Sequence, residues 1–310
     1  MSVKTPSRLE KILSLGHLAV TSECGPPRGS DSATIKEKGE LIRNHADAVN
    51  VTDNQTSVVR LCSLAACIHL KLMGIEPILQ MVTRDRNRIA AQSDILGAAS
   101  FGINTMLCLS GDHQSFGDNP RGQNVHDLDS MQLLQTVRMM RDEGKFLGGD
   151  DIKRPPAIFV GAAANPFADP FEIRVPRLAK KIAAGAEFIQ TQCIYNLEKF
   201  EKWMELVREK GLDEKIHILA GVTPLKSAGM AKYMKNRVPG MDVPDEVVER
   251  MAKTPKDKQA DEGVTICVET IQRLKEVKGV HGFHIMAIEW EERVPEIVER
   301  AGLYPRPDID

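Results

Sequence analysis

Apolar residues in this chain fall into short runs of Val, Ile, Leu and Ala that alternate, from end to end, with longer segments of helical period. The runs His17–Cys24, Ala48–Asp53, Pro77–Thr83, Thr105–Ser110, Ala157–Ala164, Phe188–Ile194, Ile216–Val222 and Phe283–Ile288 predict eight strands. Between them, Ser57–Met73 places Val58, Leu61, Ala65, Ile68 and Leu72 on one stripe, the spacing of a helix with one buried face. Asn196–Lys210 repeats Leu197, Phe200, Met204 and Val207 and stops at Gly211, and Val264–Lys278 stops in the same way at Gly279. Such alternation dictates a parallel sheet, because each helix returns the chain to the start of the next strand. Eight units predict an α/β fold closed into a (β/α)₈ TIM barrel, a single domain over 1–310. An open doubly wound sheet is the runner-up, weakened by the lack of Gly-x-Gly-x-x-Gly after the first strand. Two stretches break the rhythm. The long polar loop 113–129 follows a strand's carboxyl end and reads as functional, whereas 237–261, rich in Pro, Lys and Asp, reads as a solvated surface insertion.

Composition narrows the function classes. With 41 basic against 43 acidic residues and 5% aromatics, the chain lacks the basic excess of a nucleic-acid binder. Its six cysteines form no CxxC pair and read as reduced, small hydrophobes. The amino terminus lacks the apolar core of a signal peptide, and no apolar run approaches the length of a membrane span. A cytoplasmic protein without membrane contact is therefore expected.

Chemistry in a barrel collects where strands end. Here the ends carry Ser22-Glu23, Thr52-Asp53, Gln80 and Thr83, Ser110-Gly111-Asp112, Asn165, Gln190 and Gln192, Thr223, and Glu289 on the last strand. This set is polar and mildly acidic, with no histidine cluster, so no metal centre is expected. His284 reads as a core histidine. Glu23, at the edge of an apolar strand, is placed to be desolvated and so to serve as an acid near neutral pH. Pairing with Arg28 or capping a helix explains it equally well. Asp112 follows Gly111, which would let a ligand approach the backbone, yet Ser-Gly-Asp is also an ordinary turn.

The motifs Ser22-Glu-Cys-Gly-Pro-Pro-Arg28, Val51-Thr52, Leu109-Ser-Gly-Asp112, Lys181-Ile-Ala-Ala-Gly-Ala-Glu-Phe-Ile-Gln-Thr-Gln192, Gly221-Val-Thr-Pro224 and Gly282-Phe-His284 stand in one order along the chain. In that order they resemble the methylenetetrahydrofolate reductase family, in its short prokaryotic form without a regulatory domain. The resemblance runs from about Leu18 to Leu303. It implies a flavin cofactor, FAD or FMN, and a tetrahydrofolate substrate. Glu23 then matches the family's general acid, Asp112 the aspartate between flavin and pterin, and Gln192 a folate contact. Thr52, Gly111 and Lys181 match flavin-binding positions. Elsewhere the chain departs from the family pattern. Gln80, Ser110 and Ala163 stand where histidine, arginine and tyrosine are usual, and Arg174 and Arg177 where aspartate and a neutral polar residue are common. Ala228 replaces a stacking phenylalanine, and Glu289-Trp290 an Asn-Arg pair that meets the folate tail. These departures leave the electron donor open, whether NADH or an electron-donating partner subunit carrying iron–sulfur or flavin. The two arginines suit a phosphate, and an oligomer is expected. A pterin-binding methyltransferase barrel, or a non-catalytic barrel subunit of a larger complex, stands as the alternative.

Overall fold

The computed structural model describes residues 3–309. Its strands are β1 (Ala19–Cys24), β2 (Ala48–Val51), β3 (Pro77–Val82), β4 (Thr105–Leu109), β5 (Phe159–Ala164), β6 (Phe188–Cys193), β7 (His217–Val222) and β8 (Val280–Ile285). Each pairs in parallel with the next, and β1 pairs with β8, so the sheet closes into a barrel. The helices are α1 (Arg8–Ser14), α2 (Ala33–Ile42), α3 (Ser63–Leu72), α4 (Arg88–Ser100), α5 (Ser130–Arg138), α6 (Arg174–Ala184), α7 (Leu197–Glu209), α8 (Ala228–Arg237), α9 (Asp245–Lys253), α10 (Gln259–Lys275) and α11 (Val294–Arg300). The fold is the expected (β/α)₈ TIM barrel.

Side chains alternate along a strand, so each strand feeds two cores. Val20, Val49, Leu79, Met106, Val160, Ile189, Ile218 and Phe283 point outward and pack under the helices. Ala19, Ala48, Ile78, Leu107, Phe159, Phe188 and Leu219 have the opposite parity and fill the lower barrel, where Leu9, Ile12 and Leu13 of α1 close the bottom. Phe159 and Phe188 stack with ring centroids 5.0 Å apart. The facing position on β5 is Gly161, where a Cβ would lie 2.4 Å from the Phe188 ring.

One layer higher, the inward residues turn polar. Asn50 Nδ2 donates to Gln190 Oε1 at 2.7 Å, Gln190 Nε2 donates to Thr21 Oγ1 at 3.1 Å, and Thr21 Oγ1 meets His284 Nδ1 at 3.0 Å. Asn50 Nδ2 also lies 3.1 Å from His284 Nε2, which closes the ring. Burial pushes His284 down to about 3, so it stays neutral. It is the core histidine expected, inside the barrel.

The chain differs from its sequence pattern in places with clear causes. β8 begins at Val280 and ends at Ile285, so Glu289 lies in the turn beyond it, in the left-handed region at φ 49°. α3 starts only at Ser63, because Ser57 takes a left-handed φ of 58° and Val58 and Cys62 are extended, with ψ of 130° and 143°. Residues 237–261 hold α9 and a short 3₁₀ turn at Lys256–Lys258. Met251 of α9 is buried with Ala231, Met234 and Ile266, while most of this stretch stays exposed. Among the described residues, no helix is long and apolar enough to cross a membrane.

Candidate active site

Carried one step past the polar ring, the inward parity brings Glu23, Gln80, Leu109, Ala163, Gln192 and Met286 to the carboxyl-end mouth. These six residues line both of two cavities there, one of about 370 Å³ and one of about 800 Å³. The smaller reaches down to Gln190 and His284 and sideways to Asn165, Arg174, Arg177 and Lys181. The larger spreads over Thr52, Ser110, Gly111 and Asp112 to the face of α8.

Glu23 is half-buried at the floor shared by both. Desolvation, reinforced by the charge of Glu291 and opposed by that of Lys38, raises its carboxyl from 4.5 to about 7. The alternative role as an ordinary partner of Arg28 falls away. That arginine donates instead to Asp118 Oδ2 at 2.5 Å, which ties the 113–129 loop to the segment after β1. Glu23 thus holds a carboxyl raised toward neutrality in the lining of both cavities.

Asp112 is exposed, and its Oδ2 accepts the Thr56 N–H at 3.1 Å. Its backbone oxygen accepts from Ser57 Oγ and from Arg84 Nη1, each at 3.0 Å. Thr56 is β-branched yet left-handed, a strained conformation that orients its N–H toward this carboxylate. Gly111 has φ 86°, and a Cβ there would lie 3.0 Å from Val82 Cβ, so the missing side chain lets the end of β4 pack against the end of β3; the residue also lines the larger cavity. Thr52 Oγ1 is buried without a hydrogen-bond partner among the described residues, which leaves a polar atom for a bound molecule to satisfy.

At the other end of the mouth, Arg174 and Arg177 stand in the first turn of α6 and Lys181 in its last turn. The Lys181 ammonium donates to the carbonyl oxygen of Ala163. Burial, helped by repulsion from Arg177, lowers Lys181 to about 8. A cation held below its usual range gains most from an incoming anion.

The remaining expected residues divide. Gln192, Gln80, Ser110 and Glu289 line the larger cavity, although Glu289 does so from the turn and lies 3.9 Å from Arg60 Nη2. Ala228, at the start of α8, lies outside the lining, with its N–H donating to Gln259 Oε1 at 3.0 Å. The wall that α8 and its flanks present is instead Met230, Tyr233, Met234, Val238 and Met241. Sequence reasoning missed this apolar wall. Met230 and Met234 follow ordinary helical spacing, and the exposed Tyr233 carries no motif.

A family model described as methylenetetrahydrofolate reductase matches residues 8–302. The "Probable methylenetetrahydrofolate reductase (NADPH)" of Caenorhabditis elegans is 24% identical over 258 residues, 81% of this chain and 36% of that protein. "Methylenetetrahydrofolate reductase 2" of Schizosaccharomyces pombe is 27% identical over 247 residues, 77% of this chain and again 36% of the relative. The chain thus matches little more than a third of the length of these relatives. Among solved structures, a Clostridium thermocellum protein described as binding two copies of 5-methyl-5,6,7,8-tetrahydrofolic acid superimposes with TM-score 0.63 at 14% identity, over 96% of this chain and 98% of that one. Tryptophan synthase from M. tuberculosis gives TM-score 0.51 at 11% identity, over 96% and 95%. At such identities the likeness establishes the fold alone.

Proposed function

The chain belongs to the methylenetetrahydrofolate reductase family, and from that premise we propose that it reduces 5,10-methylenetetrahydrofolate to 5-methyltetrahydrofolate with a bound flavin. Glu23 carries this reading: it is a carboxyl protonated near neutrality on the floor of a cavity it shares with Asp112 and Gln192. Glu23 gives its proton to the folate N10 as the bond from N10 to the one-carbon unit breaks, which leaves a cationic iminium at N5. Asp112 stabilises that cation from the mouth, and the Gln192 amide holds the pterin edge. The flavin, when bound, supplies the hydride that completes the methyl group.

The residues present fit a flavin. Thr52 offers its unpartnered hydroxyl, and Gln80, Ser110, Gly111, Asp112 and Ala163 the surrounding wall. Arg177 and Lys181, joined by Arg174, suit the phosphate of FMN or FAD. The reading extends to the electron source. With Ala228 outside the cavity lining and Glu289 in a turn, electrons reach the flavin from a partner subunit bearing iron–sulfur or flavin, in a cytoplasmic oligomer. Rapid anaerobic reduction of the isolated chain's flavin by NADH alone would contradict this electron source.

The test of function begins with colour, because a flavin enzyme purifies yellow and a methyltransferase barrel colourless. In the yellow protein, Glu23→Gln is expected to slow folate-dependent flavin reoxidation by roughly 100-fold or more while leaving flavin reduction intact. A colourless protein, or an unchanged folate step, overturns the proposal.

A further inference from the structure

Behind Glu23, away from the substrate cavity, lies a buried ion pair that the chemistry above does not use. Lys38 Nζ of α2 sits 2.6 Å from Glu291 Oε1, in the turn that precedes α11. The Glu291 side chain is 5% exposed and that of Lys38 19%. Both residues, with Glu23, Gly25 and Ala287, line a space of about 20 Å³. That is room for about one water molecule and none for a folate. Glu23 is the residue that this space shares with both cavities of the mouth.

We propose that Lys38 and Glu291 act as a positioning pair for Glu23, setting the electrostatic field in which its carboxyl releases and regains a proton. The proposal rests on the reading of Glu23 as the acid, and it deepens that reading. Other groups around Glu23 leave this pair as the field that can be tuned. On β1 and β6, Cys24 and Cys193 are pushed by burial to about 12 and about 11, so both are neutral at working pH. His284 of β8, below the floor, is held down to about 3 and is neutral too. Arg60, after β2, and Glu289, beyond β8, face one another at 3.9 Å and largely offset. Asp112 and Arg177 are exposed at the open mouth, where solvent screens them, and the less exposed Lys181 is engaged with the Ala163 carbonyl oxygen. Glu291 and Lys38 remain as the charges that act on Glu23 with opposite signs, the carboxylate favouring the protonated form and the ammonium the ionised one. A purely structural link between α2 and the β8–α11 turn would not need charge, since apolar residues of similar volume serve a buried contact at least as well.

The test titrates Glu23 directly. In the purified full-length protein, the Glu23 carboxyl is followed by infrared difference spectroscopy against Glu23→Gln as pH is raised. Glu291→Gln should lower the Glu23 midpoint by about 1 pH unit, and Lys38→Met should raise it. Opposite shifts are the signature, because a loss of packing would not give opposite signs. Midpoints that stay put in both variants, or move in the same direction, overturn the proposal. If Glu291→Gln does not fold, Lys38→Met decides alone: a rise supports the pair and an unmoved midpoint refutes it. The readout needs neither flavin nor turnover. A titration that shifts as stated in a protein that fails to reduce methylenetetrahydrofolate would leave this inference standing while the proposed function falls. In an active protein, the alkaline fall of the folate step is expected to move with the titration.

Discussion

Glu23 ties proton affinity to stability. The native state holds its proton up to about pH 7, whereas the unfolded chain releases it near 4.5. The native state therefore loses stability as pH rises through that window, because an ionised carboxyl must then stay desolvated. Glu23→Gln removes the loss. We expect the variant to exceed the parent by about 3 kcal/mol in urea unfolding at about pH 8 and to match it at about pH 4. A variant no more stable at alkaline pH would contradict the desolvation of Glu23. Single residues were partly legible in the sequence. Glu23, Gln80 and Gln192 could be placed because strand parity carries any inward residue at the upper end to the mouth. The neighbours that tune Glu23 could not, since Lys38 and Glu291 stand 253 positions apart and each, alone, is one more charge in a charged segment.

At the scale of elements, the apolar runs found the strands well, because a buried parallel strand has few polar positions to blur it. Ends were less legible. Val280-His-Gly looks like a turn, so the last strand was expected to begin at Phe283. α1 was not anticipated, although its signal is present: Ser7 Oγ accepts the Glu10 N–H at 3.2 Å, and the Glu10 carboxylate reaches back to the Lys4 and Thr5 N–H groups at 2.7 and 2.9 Å. Leu9, Ile12 and Leu13 then face the barrel floor. The close approach of β5 to β6 was equally hidden, since Gly161 in an Ala-rich run shows nothing of the ring opposite it. Gly161→Ala would push a methyl to 2.4 Å from Phe188, inside a packed core. We expect a cost of about 2 kcal/mol, read as a lower urea midpoint with the fold retained. An unchanged midpoint would mean that Phe188 does not fill the floor as described.

Across the whole molecule, one geometric rule links sequence to site. Alternation along closed parallel strands stacks an apolar floor, a neutral hydrogen-bonded ring of Thr21, Asn50, Gln190 and His284, and a mouth bearing Glu23. The apolar and neutral layers beneath Glu23 desolvate it without supplying a counter-charge, and desolvation is what raises its carboxyl most. Strand count was legible from rhythm, whereas closure rests on the pairing of β1 with β8; the apolar wall at α8 was not legible, because a helix face that lines a cavity has the same period as one that packs a core. The most direct test of the account is the single-turnover rate at which 5,10-methylenetetrahydrofolate reoxidises the reduced flavin, measured against pH. With Glu23 as the acid, the rate should be level below pH 7 and fall about tenfold per unit above it, with a slow, pH-independent rate in Glu23→Gln. Equal rates in the two proteins across that range would contradict it.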